Sequence, residues 1–351
     1  MAVQDIAYVE LFARDKVPVV GYFVEAMGFT RVADSVEADR SSVLLRQGTT
    51  QLVVTSGRGV AGFLDRHGDG VADIALTCDD VAATWDAAVA AGAGPARTER
   101  GVPVVTGFGE VVHTLVPRSA GDLPAPPPGR RWMTAPGPSG GPEPLGDTAP
   151  PTAPGHVRLL DHVAVCIGRG LLEHHADLYR DGFGLDRYSS EYVALGAQAM
   201  DSIVVRSDSG HAVFTLCAPD PGTEPGQLDA FMERNGGPGV QHLAFLVDDI
   251  VGAVGAFAGR GMDFLGTPDT YYDMLAERFP EMRGEVAGLR KAQVLADRDE
   301  WGHLLQLFSR SPHERDTLFY ELIQRRGSRG FGSANIRALY EAVERDRLAA
   351  G

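Results

Sequence analysis

The 351-residue sequence predicts an α+β fold. It reads as two tandem domains of paired βαβββ units, each domain an open curved β-sheet barrel with helices outside. Three observations carry that prediction. The order strand, helix, strands recurs along the chain in units of roughly 50 residues. A Pro/Gly-rich stretch over residues 119–157 cuts the chain in two. Each unit is too small to bury a sheet alone, so units must pair, leaving a concave side as a cavity.

The first domain, residues 1–118, opens with a strand at 8–12 and a helix over 17–27 that stops at Gly28. Alternating patterns at 42–45 and 51–55 predict strands. After the HGDG turn the cycle restarts with a strand at 71–77, an Ala-rich helix over 81–91 and a strand at 111–116. The linker carries repeated prolines, which lack amide donors, so it reads as an extended and partly mobile connector. The second domain, residues 158–351, repeats the order: strand 161–167, helix 171–179, strands 188–195, 202–206 and 212–216. A second cycle follows with strand 239–247, helix 250–258 and strands 293–296, 304–309 and 318–324. A helix over 335–348 has Ile336, Leu339, Tyr340 and Val343 on one face.

Composition narrows the function classes. Net charge is −15 with no Lys/Arg stripe, which argues against a nucleic-acid surface. No apolar stretch approaches the ~20 residues of a membrane span. The N-terminal residues show no secretory pattern. Cys78, Cys166 and Cys217 have no metal-type spacing and read as buried free thiols in a reducing cytoplasm.

Three polar residues stand out in apolar strand contexts: His162 in LLDHVAV, His242 in GVQHLAF and Glu321 in TLFYELIQR. They are spaced 80 and 79 residues apart. A single His in a strand is more often a packed core residue than a ligand. Three such groups buried without partners would cost several kcal/mol each. A shared cation satisfies all three, and two imidazoles plus one carboxylate suit Fe(II) with an open face. Aligning the first domain on the second puts Glu10 at His162, Asp73 at His242 and His113 at Glu321. This reads as a degenerate copy whose polar groups face water or each other.

Six stretches together resemble the 4-hydroxyphenylpyruvate dioxygenase family of the vicinal-oxygen-chelate superfamily. They are LLDHVAV, GVQHLAF, DTYYDML, VLADRDEWGHLLQLFSR, TLFYELIQRRG and GFGSANIRALYEAVERDR. DRHGDGVADIAL and VVHTLV extend the likeness to the first domain. The resemblance implies Fe(II) held by His162, His242 and Glu321, O2 as co-substrate, and an aromatic α-keto acid that chelates the iron. A homodimer is also what the likeness suggests. Family members diverge after decarboxylation. One branch hydroxylates the ring to homogentisate, the other the benzylic carbon to 4-hydroxymandelate.

Departures from the ring-hydroxylating pattern point to the benzylic branch. That pattern ends a substrate-facing strand in Asn-Glu-Pro; here it is Cys217-Ala218-Pro219. Its lid reads GFGxGNF, whereas this chain has Ile336 in place of the aromatic. The GAQAMDS stretch at 196–202 is more similar to the mandelate-forming branch. Cys217 and Ile336 are therefore the expected selectivity residues. Phe308 and Phe331 are expected to flank the substrate ring, although an isolated Phe is more often core. Gln306 shares a face with Phe308 and is expected to orient the keto acid or to bind the phenol through water. Ser202, Thr215 and Gln227 are weaker polar candidates. Asn335 either caps the last helix or touches substrate. The rival readings are homogentisate formation, a metal-free small-molecule-binding protein of the same fold, and a ring-cleaving catechol dioxygenase.

Overall fold

The structure is a computed structural model that describes residues 3–96, 101–119, 125–134, 155–332 and 335. The expected final helix and the greater part of the linker lie outside the described residues.

The first sheet holds β1 (Val3–Phe12), β2 (Thr30–Val36), β3 (Arg40–Gln47), β4 (Thr50–Gly57), β5 (Gly70–Cys78), β6 (Val104–Phe108), β7 (Val111–Pro117) and β8 (Met133–Thr134). Their order is β6-β7-β5-β1-β4-β3-β2-β8. The second sheet holds β9 (Val157–Cys166), β10 (Asp186–Leu195), β11 (Gln198–Arg206), β12 (Val213–Pro219), β13 (Gly239–Val247), β14 (Leu295–Arg298), β15 (His303–Phe308) and β16 (Phe319–Arg326). It is ordered β10-β11-β12-β9-β13-β16-β15-β14. In each sheet two units meet at a central antiparallel pair, β1 with β5 and β9 with β13.

Helices α1 (Lys16–Gly21), α2 (Ala61–His67), α3 (Val81–Ala90) and α4 (Leu172–Phe183) precede α5 (Gln227–Asn235), α6 (Ile250–Ala258), α7 (Asp269–Arg278) and α8 (Val286–Ala292). In three units the strand-to-helix junction is built the same way. Asp15, Asp80 and Asp249 each sit in extended backbone and accept the amide of Val17, Ala83 or Gly252, fixing where α1, α3 and α6 begin.

The outer faces of both sheets pack with α1, α3, α4, α6, α7 and α8 in one continuous core. Phe23 and Phe29 of the first domain meet Tyr320 and Phe245 of the second, with ring centroids 5.2 and 5.9 Å apart. α3 and α4 approach closely at Gly182, where a Cβ would lie 3.0 Å from Ala88 Cα. His113, on the outer face of β7, bonds Tyr179 Oη of α4 at 2.8 Å and Ile74 O at 2.9 Å. Its burial lowers its pKa to about 4.

The elements depart from the sequence expectation in places. The helix expected over 17–27 is α1 followed by a π-helical turn at Tyr22–Ala26. β2, β6, α2, α5, α7 and α8 were not expected; they are short or carry exposed charge, which blurs their periodicity. Met133 and Thr134, within the expected connector, pair with Asp34 and Ala33 of β2.

Candidate metal centre

The inner face of the second sheet forms a cup, and its strand register decides which side chains enter it. Between β9 and β13, His162 faces Ala244 and His242 faces Ala164. Each histidine thus has a small residue opposite, leaving room beside its ring. β16 lies next to β13 with Glu321 beside Ala244, so the carboxylate reaches the same spot.

The two histidines share a local device. Asp161 and Gln241 are extra residues of β-bulges, because the register steps from Leu160 to His162 and from Val240 to His242. A bulge turns two successive side chains toward one side. Asp161 Oδ1 therefore accepts His162 Nδ1–H at 2.9 Å, and Gln241 Oε1 accepts His242 Nδ1–H at 3.1 Å. With the hydrogen on Nδ1, each neutral ring keeps its lone pair on Nε2, the arrangement a ligating imidazole needs.

Those nitrogens converge. His162 Nε2 and His242 Nε2 are 3.4 Å apart, and Glu321 Oε2 lies 3.4 and 3.2 Å from them. All three residues are buried and form a possible metal-binding group. Burial pushes the Glu321 carboxyl up, but the two imidazoles outweigh it and hold it at about 2. Burial opposes charge on His162, yet Asp161 and Glu321 outweigh that and raise it to about 9. His242 is lowered by burial, which Glu321 only partly opposes. Without metal, a proton on His162 balances Glu321. A divalent cation can replace that proton, and two neutral nitrogens with one carboxylate oxygen suit Fe(II).

The other carboxylate oxygen is engaged. Gln306 Nε2 donates to Glu321 Oε1 at 2.8 Å and to Phe331 O at 3.3 Å. Gln306 Oε1 accepts from Asn335 Nδ2 at 2.8 Å. Asn335 is fully buried and its Oδ1 also accepts from Tyr271 Oη at 3.3 Å. Phe331 meets the His162 ring edge-on at 5.2 Å and packs with Val204, Val213 and Tyr188. Phe308 lies 6.2 Å from His242, beside Phe319, which stacks on the same imidazole at 5.0 Å.

The remaining expected residues line β11, β12 and α5. Ser202 Oγ donates to Glu191 O at 3.2 Å. Thr215 is buried, and among the described residues its hydroxyl has no hydrogen-bond partner. Cys217 sits in an apolar cluster with Cys166, Val193, Met200, Leu228 and Phe231. Gln227 begins α5, next to Leu228 of that cluster. Ile336 lies outside the described residues. Asp161, Gln241, Tyr271 and Phe319 were missed from sequence. The repeated His-x-Ala spacing at 162–164 and 242–244, each preceded by an oxygen-bearing side chain, was the available signal.

The first cup corrects the alignment of the two domains. β1 steps from Ile6 to Tyr8 and β5 from Val71 to Asp73, the same bulges as in β9 and β13. Tyr8 therefore occupies the place of His162, and Glu10 that of Ala164. Asp73 does match His242. On β7 it is Thr114, not His113, that faces inward: its hydroxyl and amide donate to Asp73 at 2.5 and 3.0 Å. Tyr8 Oη donates to Asp73 at 3.3 Å. Beside them lies a cavity of about 400 Å³. Arg130, from the stretch expected to be a connector, enters it and donates to both oxygens of Glu10 and to Ser42 and Thr55. A guanidinium thus supplies the first cup with a fixed cation.

Comparison with known proteins adds to this geometry. A family model for the N-terminal part of hydroxyphenylpyruvate dioxygenase matches residues 1–123. One for the glyoxalase/bleomycin resistance protein/dioxygenase superfamily matches residues 159–307. The chain is 32% identical to 4-hydroxyphenylpyruvate dioxygenase of Neurospora crassa over 314 residues, covering 82% of this chain and 72% of that protein. It is 29% identical to the Aspergillus fumigatus enzyme of the same name, covering 94% and 89%. A solved structure of a triple mutant of 4-hydroxymandelate synthase from Streptomyces coelicolor superposes with a TM-score of 0.87 at 47% identity. The match covers 98% of this chain and 99% of that one. Among the described residues no helix is long and apolar enough to cross a membrane.

Proposed function

The chain belongs to the 4-hydroxyphenylpyruvate dioxygenase family, and we propose that it converts 4-hydroxyphenylpyruvate and O2 to 4-hydroxymandelate and CO2, using Fe(II). The observation that carries this reading is the likeness to 4-hydroxymandelate synthase, 47% identical over 98% of the chain. In the balance, one oxygen atom enters the carboxylate formed as CO2 leaves. The other enters the benzylic C–H bond.

His162, His242 and Glu321 are the ligand set in this reading. Bound there, Fe(II) supplies Lewis acidity toward the keto acid and the electrons that activate O2. Asp161 and Gln241 keep each imidazole turned with Nε2 toward the ion. Gln306 bonds Glu321 Oε1, which would leave Oε2, the oxygen nearest both imidazoles, to hold the ion. Phe331 and Phe308 flank the aromatic ring, and the unpartnered hydroxyl of Thr215 offers the substrate a polar contact. Ser202 and Gln227 are the further polar candidates in this reading.

Product choice follows from how the ring sits. An amide at position 217 would give a phenol a partner; the thiol, set among apolar side chains, does not. A displacement of about 1 Å changes rates ~100-fold, enough to select one carbon over another. Aerobic incubation with Fe(II) and 4-hydroxyphenylpyruvate, read by proton NMR, tests this. An intact para-substituted ring with a benzylic carbinol is expected. A trisubstituted ring with a methylene, the pattern of homogentisate, contradicts it.

A further inference from the structure

We propose that Arg325 is a positioning residue that links the 327–332 segment to the ligand His162 through Asp161, a proposal that rests on the metal reading above. Arg325 grips Asp161 with two parallel bonds, Nε to Oδ2 and Nη2 to Oδ1, both 2.7 Å. Asp161 Oδ1 is the same atom that accepts the His162 Nδ1 hydrogen. The third nitrogen of Arg325, Nη1, donates to Gly330 O at 2.7 Å. Its guanidinium also lies 5.1 Å from the Phe331 ring centroid, and that ring touches His162.

One side chain therefore binds the loop backbone, the loop's aromatic residue and the orienter of a ligand. The other face of the loop is pinned separately. Asp299 accepts the amides of Arg329 and Gly330 at 2.7 Å and the hydroxyl of Ser328 at 2.8 Å. The segment is thus held by a rigid anchor on one side and by the His162 chain on the other. Among the described residues His242 has no such ion-paired link: its orienter is the neutral amide of Gln241. A substrate ring resting on Phe331 acts on Arg325, and through Asp161 on His162. Occupancy of the aromatic pocket is thus read at His162 through this ion-paired chain.

The test uses the full-length, metal-free protein, titrated anaerobically with Fe(II) by calorimetry, with kcat, KM and thermal midpoint measured alongside. Loss of an orienting partner of a ligating imidazole weakens metal binding ~10–100-fold. Arg325→Met is expected in that range. Arg325→Lys keeps the charge but not the two-point grip, and is expected to fall between wild type and Arg325→Met. Phe331→Leu leaves the ion pair intact, and is expected to raise KM with a smaller loss of Fe(II) affinity. Should Arg325→Met fail to fold, Arg325→Lys and Phe331→Leu decide the matter. Fe(II) affinity equal to wild type in those two variants overturns the proposal, even if their thermal midpoints drop. No Fe(II) binding by wild type overturns the reading of the site itself, and the proposal with it.

Discussion

Asp161 and Gln241 occupy equivalent bulges on two neighbouring strands, and each accepts the Nδ1 hydrogen of the histidine that follows it, at 2.9 and 3.1 Å. The bulge is what makes the contact. In a regular strand successive side chains point to opposite faces, and neither oxygen could reach the adjacent ring. The same step in β1 and β5 places Tyr8 and Asp73 in the first cup, so the backbone device recurs where the ligands do not.

Thr215 carries a buried hydroxyl with no partner among the described residues. Thr215→Val removes that orphan at nearly constant shape, so the ligand-free protein is expected to gain about 1 kcal/mol of stability. The substrate loses a polar contact, and KM is expected to rise ~5–10-fold. Fe(II) affinity stays unchanged. Thermal melts and steady-state kinetics check both signs; a stabilised variant with unchanged KM removes Thr215 from the substrate site.

Cys217→Asn places an amide where the wall is now apolar. The expected outcome is a product mixture in which homogentisate appears beside 4-hydroxymandelate, with total turnover reduced. Chromatography against both standards measures the ratio. An unchanged product with unchanged rate would show that position 217 does not steer the ring.

Arg130 and Glu10 form a buried ion pair, their side chains only 6% and 4% exposed. Arg130→Met strands the carboxylate, and the expected loss is roughly 3–5 kcal/mol. Adding Glu10→Gln to that variant is expected to recover much of the loss, because the uncompensated charge is gone. Denaturant unfolding of the single and double variants makes the comparison.

His113 is held neutral between Tyr179 and the Ile74 carbonyl, its pKa lowered to about 4 by burial. A depressed folded pKa gives stability that is complete above the unfolded value near 6.5. That stability is lost as pH falls toward 4. The loss is on the order of 3 kcal/mol. His113→Phe is expected to be less stable at pH 7, since it orphans two buried polar groups. Its stability should also vary less between pH 6.5 and 4, as melts across that range would show.

Much of the second cup was legible in the sequence. His162, His242 and Glu321 are polar residues inside apolar strand runs, and the doubled strand–helix order gave their spacing a geometric meaning. What escaped were features that break period-two alternation. The bulges hid Asp161 and Gln241, and they displaced the first-domain alignment, so that Glu10 stood for Tyr8. The one-residue step likewise separates His113 from Thr114, which points to the opposite face of β7 and is the one that enters the cup. Arg130 was illegible for another reason. Its partner Glu10 is 120 residues away, across a Pro-rich stretch that carries no periodic signal. Tyr271 and Phe319 belong to elements whose pattern reads equally well as ordinary core.

Anaerobic titration of the metal-free chain with Fe(II), for wild type and for His162→Ala, His242→Ala and Glu321→Ala, tests the central claim most directly. One ion bound per wild-type chain, with each substitution abolishing that binding while the folded spectrum persists, is the expected result. Wild-type binding that survives all three substitutions, or no binding at all, would contradict it.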